Sequence, residues 1–179
     1  FSSISYRFSK SNKNNLCGFV SSCERIIQVK KDENLIRISH FPSNTILKGT
    51  RYVLSAKDII NRENVVFNIE RLSNDEVLNR LNETHILVNQ FGSGYGLLAV
   101  EAMARGCVIV SRIADWFNNE YPEHPVLHCE AEELVSVLDD LINNPAKIIE
   151  IGKKSIAYYN KFHSPEAVGN YYKRVLNLN

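Results

Sequence analysis

The sequence predicts an α/β protein, a doubly wound parallel sheet with helices on both faces. From Leu35 onward, short apolar runs alternate with longer stretches whose apolar residues recur at helical spacing, the pattern of strands joined by helical crossovers. The stretch 89–112, NQFGSGYGLLAVEAMARGCVIVSR, sharpens this reading: a buried apolar run precedes it, three glycines (Gly92, Gly94, Gly96) follow, then an apolar helical segment, then a second buried run. A strand that ends in glycines and feeds a helix places backbone N–H groups and the positive end of a dipole where an anion can approach.

Each element has its own local signal. LIRISH (35–40) reads as the first strand and FPSNTILKGT as a loop. A helix follows from about Gly49 to Asn61, with Tyr52, Val53, Ala56, Ile59 and Ile60 at helical spacing. VVFNI (65–69) is the second strand. Ser73 opens a capping box with Glu76, Leu72 is placed to staple onto Val77, and the helix presents Val77, Leu78 and Leu81. HILV (85–88) is the third strand, the helix from about Tyr95 to Arg105 follows the glycine turn, and Gly106 closes it. CVIV (107–110) and PVLHC (125–129) complete the sheet. A helix with Leu134, Val135, Leu138, Leu141 and Ile142 on one face runs to the Asn143-Asn144-Pro145 stop. Two more helices end the chain: Ala146 to about Phe162, then one capped by Ser164 with Pro165 in its first position.

The chain has 179 residues, 44% hydrophobic and 23% charged, sized for one soluble domain with a single sizeable core. A net charge of +1 offers no bulk attraction for nucleic acid or an anionic membrane. No apolar run approaches bilayer-spanning length. The four cysteines (Cys17, Cys23, Cys107, Cys129) form no C-x-x-C and no metal spacing. Two of them fall in core strands as small hydrophobes, which fits a reducing cytoplasm. Residues 1–33 are polar and irregular, with six Lys/Arg against three Asp/Glu, and read as a linker or interdomain segment ahead of a domain at 34–179. The start at Phe1, without a signal peptide, leads us to expect a piece of a longer protein.

Candidate functional residues lie in segments that leave strand carboxyl ends, where open α/β sheets bind ligands. Glu101 is a lone carboxylate among Leu97, Leu98, Ala99, Val100, Ala102 and Met103, so it has a partner or faces a cleft. Lys48 ends the first loop, a natural counter-charge for a diphosphate, although a lysine so placed is more often a solvated surface residue. The glycine turn has a packing explanation as well as a phosphate-binding one, because G-x-G here lacks the third glycine of a dinucleotide fingerprint. His40 ends the first strand and is placed to look into the cleft, whereas His128 reads as a core or edge residue and His163 as locally packed. Asp115 and Trp116 lie beyond the fourth strand, where either a cleft contact or helix capping explains the Asp.

Three blocks in order, SHFPSNTILKGTRYVLSA, GYGLLAVEAMARGCVIVS and IAYYNKFHSPEAV, resemble the C-terminal domain of GT-B fold glycosyltransferases, and among them the retaining family 4 group. The resemblance implies a Rossmann-like domain, the C-terminal half of a GT-B fold, that binds a UDP- or GDP-linked sugar donor without a metal ion. It implies that Lys48 contacts the donor diphosphate and Glu101 the nucleotide ribose. Ser93, Gly94, Tyr95, Gly96 and Leu97 would line the sugar and phosphates, the turn acting through its backbone amides, with His40, Ser43 and Asn44 on the facing loop. It further implies an N-terminal acceptor-binding domain not contained in this chain, through which peripheral membrane association would come, and a role in polysaccharide or glycoconjugate biosynthesis. Two positions depart from the pattern. Ser93 stands where the first Glu of the family's Glu, seven residues, Glu signature belongs, and the neutral Ser43 or Asn44 stands where an Arg belongs. Two rival readings remain: a non-catalytic GT-B-like interaction domain, which Ser93 favours, and a dinucleotide-dependent oxidoreductase, which the single glycine of FPSNTILKG disfavours.

Overall fold

A computed structural model describes residues 35–92 and 94–177. The expected linker at 1–33, with Cys17 and Cys23, and the signature position Ser93 lie outside the described residues. Five parallel strands form one sheet in the order β2-β1-β3-β4-β5: β1 Ile36–His40, β2 Val65–Ile69, β3 Ile86–Val88, β4 Val108–Ser111 and β5 Leu127–His128. The helices between and after them are α1 Thr50–Ile59, α2 Asn74–Leu81, α3 Leu97–Met103, α4 Asp115–Glu120, α5 Leu134–Asn143 (preceded by a 3-10 turn at Ala131–Glu133), α6 Pro145–Phe162 and α7 Pro165–Val175. The doubly wound parallel sheet expected from the alternation is thus the observed fold.

Alternation within the strands builds two cores. Ile36, Ile38, Ile86, Val88, Val108 and Val110 point to one face, where Val53 and Ala56 of α1 and Leu134, Leu138, Leu141 and Ile142 of α5 cover them. Leu87 and Ile109 point to the other, against Val77 and Leu81 of α2 and Ala99, Ala102 and Met103 of α3. Burying one such aliphatic side chain contributes roughly 1.5–3 kcal/mol, so either face outweighs any single cap. The caps set the boundaries instead. The Ser73 backbone N–H donates to Glu76 Oε2 at 2.8 Å and the Ser73 hydroxyl at 2.6 Å, and these bonds hold the Glu76 carboxyl below its usual range. Ser164 Oγ accepts from the Ala167 N–H at 3.1 Å.

Several elements are shorter than their sequence signals. α3 begins at Leu97 rather than Tyr95, because Gly96 is extended (φ −97°, ψ −168°) and Tyr95 is held by rings outside the helix. It ends at Met103, before Gly106 turns the chain with φ +67°. β5 contracts to Leu127–His128, an edge strand preceded by Pro125, which has no N–H for a ladder. Asp115 is not a cap: it is the first residue of α4, whose N-cap is Ala114. α6 reaches α3 and β4, and a Cβ at Gly152 would stand 2.5 Å from the Gly106 carbonyl oxygen. Among the described residues no helix is long and apolar enough to cross a membrane.

Candidate functional site

The chain leaves β1 toward β2 on one side and resumes at β3 on the other, so the sheet's winding reverses between β1 and β3. Open α/β sheets take ligands at the loops that leave neighbouring strands at such a reversal. The β1–α1 loop carries Lys48; the β3–α3 loop carries the glycine turn and leads to Glu101.

Local chemistry builds the first loop. Asn44 Oδ1 accepts from the N–H groups of Ile46 (3.0 Å) and Leu47 (2.9 Å), and the Asn44 carbonyl accepts from the Lys48 N–H at 3.0 Å, closing a turn of the kind Asn favours. Gly49 then takes φ +68°, and a Cβ there would stand 2.5 Å from Phe91 Cδ2, so only glycine lets this loop close against the β3–α3 loop. Tyr52 meets the Phe91 ring edge-on at 5.5 Å. Lys48 is half-buried and its Nζ donates to Gln90 Oε1. Burial lowers the Lys48 pKa.

The second loop is tied down from the far side. The Gln90 carbonyl accepts from Ser111 Oγ at 2.8 Å and from the Arg112 N–H at 2.9 Å. Arg112 Nη1 donates to the Gly92 carbonyl at 3.1 Å, while its Nε holds the Glu130 carboxylate at 3.0 Å. Gln90 Nε2 donates to the Gly94 carbonyl. Glu101, on α3, is half-buried, and its carboxylate takes no hydrogen bond or ion pair from the described residues. Desolvation raises its pKa and the charge of Arg105, one turn on, opposes that shift. A cation and a carboxylate, each half-desolvated, therefore sit on segments leaving neighbouring strands.

Other expected residues fare differently. His40 is completely buried, with Nδ1 at 2.8 Å from the Val88 carbonyl and Nε2 at 2.9 Å from Thr50 Oγ1. Burial lowers its pKa, against the pull of the Val88 carbonyl and with the push of Lys48. A neutral ring donating from Nδ1 and accepting at Nε2 satisfies both bonds. His40, expected to look into the cleft, here ties β1 to β3 and to α1 through these two bonds. The Tyr95 side chain also points elsewhere, its hydroxyl 3.1 Å from Tyr158 Oη and 3.2 Å from His163 Nε2, so His163 packs against a residue distant in sequence. His128, exposed at the sheet edge, accepts from the Ile113 N–H at 3.2 Å and pairs with Glu130 at 3.5 Å. Ser43 and Asn44 stand exposed on the loop, the Asn44 Oδ1 committed to its turn. Leu97 and Gly96 are exposed at the start of α3, where Gly96 supplies no side-chain cap.

Sequence reasoning missed Gln90 and Asn89. The signal available was position: both are amide side chains directly after a wholly apolar strand, at its carboxyl end. Asn89 is buried, and neither its Oδ1 nor its Nδ2 has a hydrogen-bond partner among the described residues. A recess of about 460 Å³ lies elsewhere, between residues 123–127 and α6. Its two lysines are already paired, Lys161 with Glu123 and Lys154 with Glu150.

The fold is that of the C-terminal half of GT-B glycosyltransferases, as the resemblance implied. In particular, the chain is similar to the crystal structure of the C-terminal domain of a glycosyl transferase group 1 family protein, LpcC, from Francisella tularensis, with a TM-score of 0.60, 16% identity, and coverage of 79% of this chain and 92% of that one. It is similar to HepE from Anabaena, crystallised with UDP-glucose, with a TM-score of 0.63, 15% identity, and coverage of 88% of this chain and 52% of that one. For TarM the TM-score is 0.50 at 18% identity, over 96% of this chain and 34% of that one. The chain therefore spans about half the length of HepE and about a third of TarM. At such identities the likeness is one of fold. No protein-family model matches the sequence, and no curated protein matches it.

Proposed function

We propose that this chain is the nucleotide-sugar donor-binding domain of a glycosyltransferase. The observation that carries the reading is Lys48: a half-buried ammonium at the winding reversal, held by the neutral carboxamide of Gln90, with no carboxylate of the described residues within salt-bridge distance. Such a cation keeps its charge for an anion, and the departure of a nucleoside diphosphate requires its developing negative charge to be stabilised. Glu101, half-desolvated and with no hydrogen bond to its carboxylate from the described residues, has the acceptor chemistry to take hydrogen bonds from a ribose. HepE, of like fold, was crystallised with UDP-glucose and with UDP and glucose, which supports a nucleoside diphosphate sugar as the class of donor. By the sequence resemblance, transfer is of a hexose with retention, from a UDP- or GDP-linked donor and without a metal ion, to an acceptor held by a second domain.

Calorimetric titration of the folded chain with UDP, GDP, ADP and the matching nucleosides, in the presence of EDTA, tests the reading. One diphosphate should bind at least about tenfold more tightly than its nucleoside, the strength of one charge-assisted bond. Equal or absent binding across the panel removes the assignment. Ser93 favours a second reading, a domain that binds a donor without transferring sugar; this variant predicts the same titration but no turnover in the full-length protein.

A further inference from the structure

We infer that Gln90 is the positioning residue of the phosphate site, a neutral carboxamide clamp that aims the Lys48 ammonium and fixes the glycine turn beside it. The inference rests on the donor-site reading above and adds the residue that sets the site's geometry. Four bonds meet at Gln90. Its Oε1 accepts from Lys48 Nζ, its Nε2 donates to the Gly94 carbonyl, and its own carbonyl accepts from Ser111 Oγ and the Arg112 N–H. Through one residue, the β1–α1 loop, the glycine turn and the end of β4 are held together.

The chemistry of a carboxamide suits this position and that of its neighbours does not. The Lys48 side chain is flexible, and an ammonium carries three N–H donors. Gln90 takes one of them, which leaves two directed elsewhere and restricts the rotamers the side chain would otherwise sample. A glutamate at the same place would accept the same bond, yet it would neutralise the cation in a half-buried setting. It would also set a carboxylate oxygen against the Gly94 carbonyl, where a donor is required. An apolar residue of the same length would free both loops. Only a side chain with an acceptor and a donor on one rigid plane satisfies the two loops while leaving the positive charge uncompensated.

Two variants separate this from a merely structural role. Gln90→Met keeps the shape and removes both side-chain bonds; Gln90→Glu keeps the acceptor and adds a charge. Melting temperatures, affinities for UDP, GDP and their nucleosides, salt dependence of binding, and backbone NMR order parameters of residues 92–96 without ligand are measured for each. In Gln90→Met, diphosphate affinity should fall about tenfold, as loss of one aimed charge-assisted contact implies. Nucleoside affinity should hold within about twofold, the fluctuation of a site that has lost no contact to that part of the ligand. In Gln90→Glu, the preference for diphosphate over nucleoside and the salt dependence should both vanish, beyond any fall in melting temperature that the carboxylate facing the Gly94 carbonyl brings. Order parameters in the glycine turn should fall in Gln90→Met. Unchanged diphosphate preference in both variants overturns the inference, and so does a parallel loss of nucleoside and diphosphate affinity that tracks melting temperature. If wild-type protein shows no diphosphate preference, the donor-site reading fails. The order parameters then still decide the clamp, since an unchanged glycine turn in Gln90→Met means that no clamp exists.

Discussion

The Tyr95 hydroxyl lies 3.2 Å from His163 Nε2, joining the glycine turn to the junction between α6 and α7. The same hydroxyl is 3.1 Å from Tyr158 Oη, and the Tyr95 ring meets Phe117 edge-on at 5.0 Å. The turn beside the candidate site is therefore braced by the C-terminal helices.

This brace carries a pH dependence. Burial lowers the pKa of His163, and it lowers those of His40 and His124 as well. A folded-state pKa below the unfolded value means that the unfolded chain binds more protons in the window between them. Stability is then fully present above about pH 6.5, the unfolded histidine value, and falls as the pH drops from there through the folded values. Thermal melts at pH 8, 6.5 and 5.5 should show a decline concentrated in the acid interval. His163→Gln should shrink that decline; an identical pH profile in the variant would remove His163 from the account. Tyr95→Phe, which loses the hydroxyl and keeps the ring, should cost about 1 kcal/mol, or roughly 2–4 °C for a domain of this size.

Glu101→Gln should weaken nucleotide binding without destabilising the fold. The carboxylate is half-desolvated and its pKa is raised, so its charge disfavours the folded state near neutrality. Removing that charge should leave the melting temperature level or higher. A charged acceptor on a ribose hydroxyl contributes roughly 1.5–3 kcal/mol, so affinity should drop about tenfold or more. A lower melting temperature with unchanged affinity would make Glu101 a structural residue instead.

Gly152→Ala should be among the most damaging single-methyl substitutions in the chain. The added Cβ would stand 2.5 Å from the Gly106 carbonyl oxygen, a backbone atom with little room to move. Gly106 has a left-handed φ of +67° that keeps it at the turn into β4. Overpacking of this kind costs about 1–3 kcal/mol, measurable as a shifted denaturation midpoint with unchanged slope. Gly169→Ala, where an added Cβ meets nothing within 4 Å, is the matched control and should be neutral or slightly stabilising.

Sugar transfer should require a second wall to the site. The described residues place Lys48 and Glu101 on segments that leave the neighbouring strands β1 and β3, whereas transfer needs orientation of the acceptor and exclusion of water. Incubated with labelled UDP- and GDP-sugars and a panel of acceptors, these 179 residues should hydrolyse donor slowly at most. Robust transfer by them alone would show a complete active site and end the half-site proposal.

The strand–helix alternation, the Ser73 and Ser164 caps and the segments carrying Lys48 and Glu101 were all legible in the sequence. Each depends on residues within a few positions of one another: apolar spacing, a capping side chain, a glycine after the last helical turn. What the site residues do with one another was decided by the order of the strands. Lys48 meets Gln90 across 42 positions and Tyr95 meets Tyr158 across 63. Both pairings exist only because β1 lies beside β3 and α6 returns against α3. His40 shows the same limit: its place at a strand's carboxyl end predicted an open cleft, but Thr50 and the Val88 carbonyl enclose it. Local pattern sets which backbone groups pair along the chain. Which side chains are left unpaired, and so free for a ligand, is settled only when neighbouring strands bring their loops together.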